Sequence, residues 1–126
     1  MFFKKNSKLE ALIGASTELN GDIQVKGTLR IDGKFTGNID AEWVIVGDHG
    51  SIKGDIRANC VIIGGNVHGN VKAEELVDIK HTGRMLGDIH TKKLSVAEGG
   101  VFDGYSHIQQ EEAKVIDFPN KESASN

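Results

Sequence analysis

Apolar residues in this chain come in pairs two positions apart, and the pairs return at a nearly fixed interval. After Gly37 they fall at Ile39 and Ala41, at Val44 and Val46, and at Ile52. The next stretch repeats the series as Ile56, Ala58, Val61, Ile63 and Val67. Ile23, Val25, Leu29, Ile31 and Phe35 precede them. Val71, Ala73, Val77, Ile79 and Met85 follow, once one extra residue is allowed after Ala73, and then Ile89, Thr91, Leu94, Val96 and Phe102. Polar residues and glycines fill the positions between. Alternation of period two predicts strands buried on one side.

Each series opens on a glycine followed by Asp or Asn and then Ile or Val: Gly21-Asp22-Ile23, Gly37-Asn38-Ile39, Gly54-Asp55-Ile56, Gly69-Asn70-Val71 and Gly87-Asp88-Ile89. Gly104 opens a sixth copy that breaks down, because Ser106 stands where Ile is due. The intervals are 16, 17, 15, 18 and 17 residues, a regularity that marks stacked repeats. Such a unit is too short for a helix and two strands. It fits three strands of three to five residues joined at corners, so that one unit makes one turn of a coil. The chain therefore reads as all-β, a parallel β-helix (solenoid) with aliphatic columns inside and polar residues outside.

All 16 glycines lie between Gly14 and Gly104, as expected of corners that need positive φ or close backbone approach. Variation in unit length is expected at those corners, or as single-residue bulges that leave the columns in register. Ala11, Ile13, Thr17 and Leu19 extend the pattern backwards as counterparts of Val44, Val46, Gly50 and Ile52. The predicted organisation is a flexible N-terminal tail at 1–10, one β-helix domain of about six coils at 11–108, and a disordered C-terminal tail at 109–126. At about 4.8 Å per rung the stack is ~30 Å long.

Composition agrees with a narrow core. Aromatics are 6% of the 126 residues, against 38% hydrophobic overall. The net charge of −3 gives no reason to expect nucleic acid as a direct partner. Cys60, the single cysteine, falls within a predicted strand, which excludes a disulfide framework and suggests a reducing compartment. No stretch approaches a transmembrane span or a secretory h-region.

The chemistry-bearing residues point away from catalysis. The five histidines, His49, His68, His81, His90 and His107, fall on different units without a shared column, so no metal site is expected and solvated surface positions account for them. The glycines form no phosphate loop, since none of them leads into Lys-Ser or Lys-Thr and a helix. Asp22, Asp55 and Asp88 recur at one position, alternating with Asn38 and Asn70, and read as an outward ladder along a corner. No cofactor is expected.

The two ends are more informative. Met1, Phe2, Phe3, Lys4, Lys5, Asn6, Ser7 and Lys8 join two aromatics to three lysines, with no acid before Glu10. One reading is a membrane-surface anchor, its rings in the interface and its lysines on anionic headgroups. Two buried Phe would contribute roughly 3–6 kcal/mol at most, so one copy binds reversibly and a polymer binds firmly. The other reading is a frayed tail. Beyond Gln109 the pattern stops, and Pro119 and a polar finish follow, with a small apolar spot at Val115, Ile116 and Phe118. That spot is either a docking motif or a flap over the last coil.

A β-helix has two open edges whose unpaired backbone groups template further strands. Monomeric solenoids cover them with caps, and none is evident here. The candidate end-contact residues are Leu19 and Phe35 near the first coil and Phe102, Tyr105 and Ile108 at the last. Stacking of copies end to end would bury them and give a filament. A folded-back tail at 109–126 is the competing arrangement.

The Met-Phe-x-Lys-Lys start, the run of Gly-Asp-Ile units of about 17 residues and the polar tail resemble the bactofilins. The resemblance covers residues 1 to about 108. It implies a right-handed β-helix and bacterial cytoskeletal filaments that assemble without nucleotide through their terminal coils. It further implies a place on the cytoplasmic face of the inner membrane, scaffolding cell-wall enzymes, cell shape, stalks or chromosome-segregation factors. The family's membrane-targeting segment maps onto Met1, Phe2, Phe3, Lys4 and Lys5, and its polymer contact onto Phe102. The short tail departs from the family pattern and leaves the partner open. Two other classes stay in view. A hexapeptide-type acyltransferase needs an aliphatic residue every six positions, and stepping from Ile56 to Ile62 reaches His68. A capped, soluble binding solenoid is the second.

Overall fold

The computed structural model describes residues 9–108, where sixteen strands follow one another with no helix between them. The first coil is β1 (Leu9–Ile13), β2 (Glu18–Asn20) and β3 (Ile23–Gln24), and the second is β4 (Thr28–Ile31), β5 (Lys34–Thr36) and β6 (Ile39–Asp40). The third is β7 (Trp43–Val46), β8 (Ser51–Lys53) and the start of β9 (Ile56–Ile63). The rest of β9 opens the fourth, with β10 (Asn66–His68) and the start of β11 (Val71–Ile79). The rest of β11, β12 (Arg84–Leu86) and β13 (Ile89–Thr91) make the fifth, and β14 (Leu94–Val96), β15 (Val101–Asp103) and β16 (Ser106–Ile108) the sixth.

Every strand pairs in parallel with its counterpart one coil away, which gives a triangular solenoid with three faces. Face A stacks β1, β4, β7, late β9, late β11 and β14; face B stacks β2, β5, β8, β10, β12 and β15; face C stacks β3, β6, early β9, early β11, β13 and β16. The solenoid begins at Leu9, two residues before the repeat pattern becomes legible. In two coils the corner between faces C and A is not a break, because β9 and β11 run through it as strands of 8 and 9 residues. The sixth copy also forms a full rung. Ser106 pairs with Ile89, and Ile108 with Thr91, because the backbone ladder does not depend on the missing isoleucine side chain.

The interior is five columns deep. One runs Ile23, Ile39, Ile56, Val71 and Ile89, and another runs Leu19, Phe35, Ile52, Val67, Met85 and Phe102. Leu29, Val44, Val61 and Val77 stack beside Ile31, Val46, Ile63 and Ile79, all essentially fully buried. Ala41, Ala58 and Ala73 fill the narrow corner. Thr91 follows them in that column, its hydroxyl donating to the Lys93 carbonyl. Side chains this uniform suit a core only one coil wide, where each residue packs mainly on its like above and below.

The uneven intervals resolve into two local events. A coil with a two-residue turn between faces A and B, Gly64-Gly65, takes 15 residues. A four-residue turn such as Gly47–Gly50 or Lys80–Gly83, closed by its own backbone bond, adds two. A bulge between faces C and A adds one, as at Glu74-Glu75 where the register slips between Ala73 and Leu76. Bulge alone gives 16, long turn alone 17, both together 18.

One corner recurs in every coil. Gly21, Gly37, Gly54, Gly69, Gly87 and Gly104 all have φ between 129° and 150°. A Cβ on Gly54 would lie 1.8 Å from the Gly37 carbonyl oxygen, and one on Gly37 would lie 1.7 Å from that of Gly21. Glycine is therefore required twice over, by backbone angle and by the rung beneath.

Candidate functional site

The corner glycines set the outward residues that follow them into a ladder of Asp22, Asn38, Asp55, Asn70, Asp88 and Tyr105. The carboxylate of Asp22 accepts from the backbone N–H and the side-chain amide of Asn38, at 3.3 and 3.2 Å. Asp55 accepts from the Asn70 N–H at 3.2 Å and Asp88 from the Tyr105 N–H at 3.4 Å. Alternation keeps carboxylates from stacking one rung apart, where two charges repel by about 1 kcal/mol even in water. This ladder is structural. Beside it the outside of face C forms an open hollow of about 720 Å³, with Asp40 and Asp55 set against Arg57 and Lys72.

The histidines need a correction. His90 and His107 do share a column: they pair in register on β13 and β16, and their rings stack with centroids 4.3 Å apart and planes 9° from parallel. Each stands three residues past its corner glycine, Gly87 or Gly104, and the sixth coil stacks one on the other. Among the described residues, no group of three or more His, Cys, Asp or Glu is placed to hold a metal. Cys60 lies buried at the corner between faces C and A, paired with Trp43 and Leu76. Burial, with the Glu75 carboxylate adding to it, pushes its thiol pKa up, which makes it a poor nucleophile.

What remains is the two ends. Among the described residues, β1, β2 and β3 at the N-terminal end each pair on one side only, and at the other end so do β14, β15 and β16. Their free backbone groups point along the stack. The interior columns finish there on apolar side chains, save the column of Ile89, which finishes on Ser106. Leu19, 41% exposed, ends the Phe35–Met85 column on one side, and the partly buried Phe102 ends it on the other. Ile108, 41% exposed, ends the alanine column on the last coil. Phe35 sits one rung inside, 3% exposed beneath Leu19, so any reach it has to a partner passes through that leucine. Tyr105 belongs to the outward corner ladder rather than to an interior column, and is 74% exposed. Sequence reasoning passed over Val96, which ends the column of Ile79 at 45% exposure. The signal was available, since the last member of every column must lie on an end face. Met1, Phe2, Phe3, Lys4, Lys5 and Lys8, and the tail at 109–126, lie outside the described residues. No helix among the described residues is long and apolar enough to cross a membrane.

Known proteins resemble this arrangement closely. The bactofilin family profile, described as polymer-forming cytoskeletal, matches residues 11–107. Bactofilin BacO of Myxococcus xanthus is 32% identical over 113 residues, which cover 87% of this chain and 90% of that protein. Bactofilin BacP of the same organism is 29% identical over 94 residues, 74% of this chain but 39% of that one. Among solved structures, the cryo-EM reconstruction of Thermus thermophilus bactofilin double helical filaments matches with a TM-score of 0.75 at 33% identity, covering 79% of this chain and all of that one. A crystal structure of a phenylalanine-to-arginine mutant of bactofilin from the same organism matches with a TM-score of 0.56 at 34% identity, over 68% and 97% of the two chains. With its profile match spanning nearly all the described coils, and its likeness to BacO extending over most of both sequences, the chain belongs to the bactofilin family of polymer-forming cytoskeletal proteins.

Proposed function

We propose that this bactofilin is a nucleotide-independent scaffold whose filaments grow through its terminal coils. The filaments lie on the anionic inner surface of the cell membrane and organise cell-shape or cell-wall machinery, or segregation factors. The observation that carries the filament reading is the state of the two ends. Among the described residues each leaves three strand edges unpaired, and each interior column there finishes on an apolar or small side chain. A second copy set on either end continues the ladders and covers those columns, and the contact repeats without closing. The double helical filaments of the Thermus relative lend it support. Membership of a cytoskeletal family also leaves the acyltransferase alternative without a basis.

Attachment to the membrane is assigned to Phe2 and Phe3 with Lys4, Lys5 and Lys8, by their chemistry and by the family's pattern. A filament displays that segment once per subunit, so weak single anchors add up.

Phe102→Arg tests the end contact. The charge lands at the foot of the central column, on a strand with no later rung, and burying it under a second copy without a partner would be strongly unfavourable. The expected result is loss of filaments by negative-stain microscopy with the β-rich circular dichroism unchanged. Filaments as abundant as those of the wild type would remove Phe102 from the contact. A stable monomer of the wild type at physiological salt would instead favour a capped binding solenoid.

A further inference from the structure

End-to-end stacking produces a single strand, and on most of its outer surface this solenoid is polar. Outward positions on face B include Lys34, Ser51 and Arg84, and on face C Asp40, Arg57 and Lys72. Face A departs from that rule. β7 reads Trp-Val-Ile-Val and late β9 reads Cys-Val-Ile-Ile. The outward Ile45 and Ile62 are adjacent rungs of one ladder, and their inward neighbours are fully buried. Strands apolar on both sides are those covered on both sides.

The rungs flanking this pair are charged, with opposite signs at the two ends. The ladder runs Arg30, Ile45, Ile62, Asp78. The residue two further along each flanking rung carries the reverse charge. Asp32 accepts from Arg30 at 3.1 Å, and Lys80 pairs with Asp78 at 3.0 Å. All four side chains keep between a fifth and a half of their surface exposed. Between Asp32 and Lys80 in that row stand Gly47 and Gly64, and the Asp32 carboxylate and the Arg30 guanidinium lie over Gly47.

We infer that face A is a self-complementary lateral contact, by which two copies of this chain meet face to face with their axes opposed and join two filaments side by side. A two-fold axis across the face, between the Ile45 and Ile62 rungs, places Ile45 of one copy on Ile62 of the other. The same operation sets Arg30 against Asp78 and Asp32 against Lys80, so that four opposite-charge pairs surround an apolar centre. Copies aligned in the same direction and register would put Arg30 on Arg30 and Asp78 on Asp78. The face measures roughly 30 Å by 12 Å, about 350 Å² per copy, less than half of what a free-standing interface buries on each partner. Pairing therefore depends on polymerisation, where each subunit in a strand adds one such contact. The inference rests on the filament reading above and deepens it.

The test uses full-length filaments and exchanges that keep each ion pair within its own chain. One variant carries Arg30→Asp with Asp32→Arg, a second carries Asp78→Lys with Lys80→Asp, and a third carries all four. Cryo-EM class averages score strands as single or paired. The expected result is paired strands in the wild type, single strands in each two-site exchange, and pairs restored when the exchanges are combined. Pairs that survive either exchange, or fail to return in the combination, overturn the inference. Single strands in the wild type overturn it while leaving the filament reading intact. No wild-type filaments at all would sink the filament reading and the pairing with it.

Discussion

Gly54→Ala is the sharpest test of what holds the coil together. The new Cβ would sit 1.8 Å from the Gly37 carbonyl oxygen, where an ordinary contact is about 3.5 Å. The two rungs must part by roughly 1.5 Å at that corner, a forced repacking that costs about 1–3 kcal/mol. The parting strains the bonds from the Gly37 N–H to the Lys53 carbonyl and from the Ile39 N–H to the Asp55 carbonyl, each now 2.9 Å, and losing one costs about 1 kcal/mol. A φ of 141° adds about 1–2 kcal/mol for an L residue. The total is roughly 3–6 kcal/mol from these contributions. Gly21→Ala is the internal control. Its φ is 131°, but nothing lies within 4 Å of its Cβ, because no rung lies beneath it. It should lose only the backbone-angle cost, about 1–2 kcal/mol. The effect of alanine on the unfolded chain is common to both and cancels. Urea unfolding followed by the fluorescence of Trp43, the single tryptophan, in the Phe102→Arg background gives both values. Equal losses at the two positions would refute the claim that the rung beneath, and not the backbone angle, dictates glycine.

Gly21→Ala should behave differently once copies join. If a second copy settles on the first coil, its corner meets the new methyl, and filament growth measured by pelleting should fall at least several-fold while the isolated chain stays folded; unchanged pelleting would show that nothing stacks over Gly21. Deleting residues 2–8 should release the protein from anionic vesicles in flotation assays and leave filament formation intact; undiminished flotation would refute the anchor assignment. Cys60, 8% exposed with its thiol pKa raised by burial and by Glu75, should react with iodoacetamide at neutral pH far more slowly than after unfolding in urea. Equal rates would mean that the corner between faces C and A opens freely.

Most of the fold was legible before any coordinates, because its causes are local. Period-two pairs decide which side of each strand is buried. The glycine ahead of Asp or Asn marks a corner whatever lies elsewhere in the chain. The column of Leu19, Phe35, Ile52, Val67, Met85 and Phe102 could be written down from spacing, and with it the position of Phe102 on the last rung. The extra residue after Ala73 was likewise visible as a slip in the count and is a bulge in the structure.

Contacts between coils could not be read so directly. The corner ladder of Asp22 and Asn38 was legible from the recurring motif, but whether His107 falls over His90 depends on how turns absorb the intervening 17 residues. A residue inserted within a strand, rather than at a turn or bulge, would turn its outward side chains inward. The motif breaks at Ser106, yet the backbone there pairs as well as in any other rung. The reversed ion pairs on face A belong to the same class. Arg30 with Asp32 and Asp78 with Lys80 are unremarkable alone in the sequence. Only stacking sets them at equal distances on either side of Ile45 and Ile62. The sequence by itself determined the shape of each coil, because strand, turn and burial are settled within a few residues. The tertiary structure alone decided what the outside of the stack presents, because every surface there is composed of residues about one coil length apart in the chain.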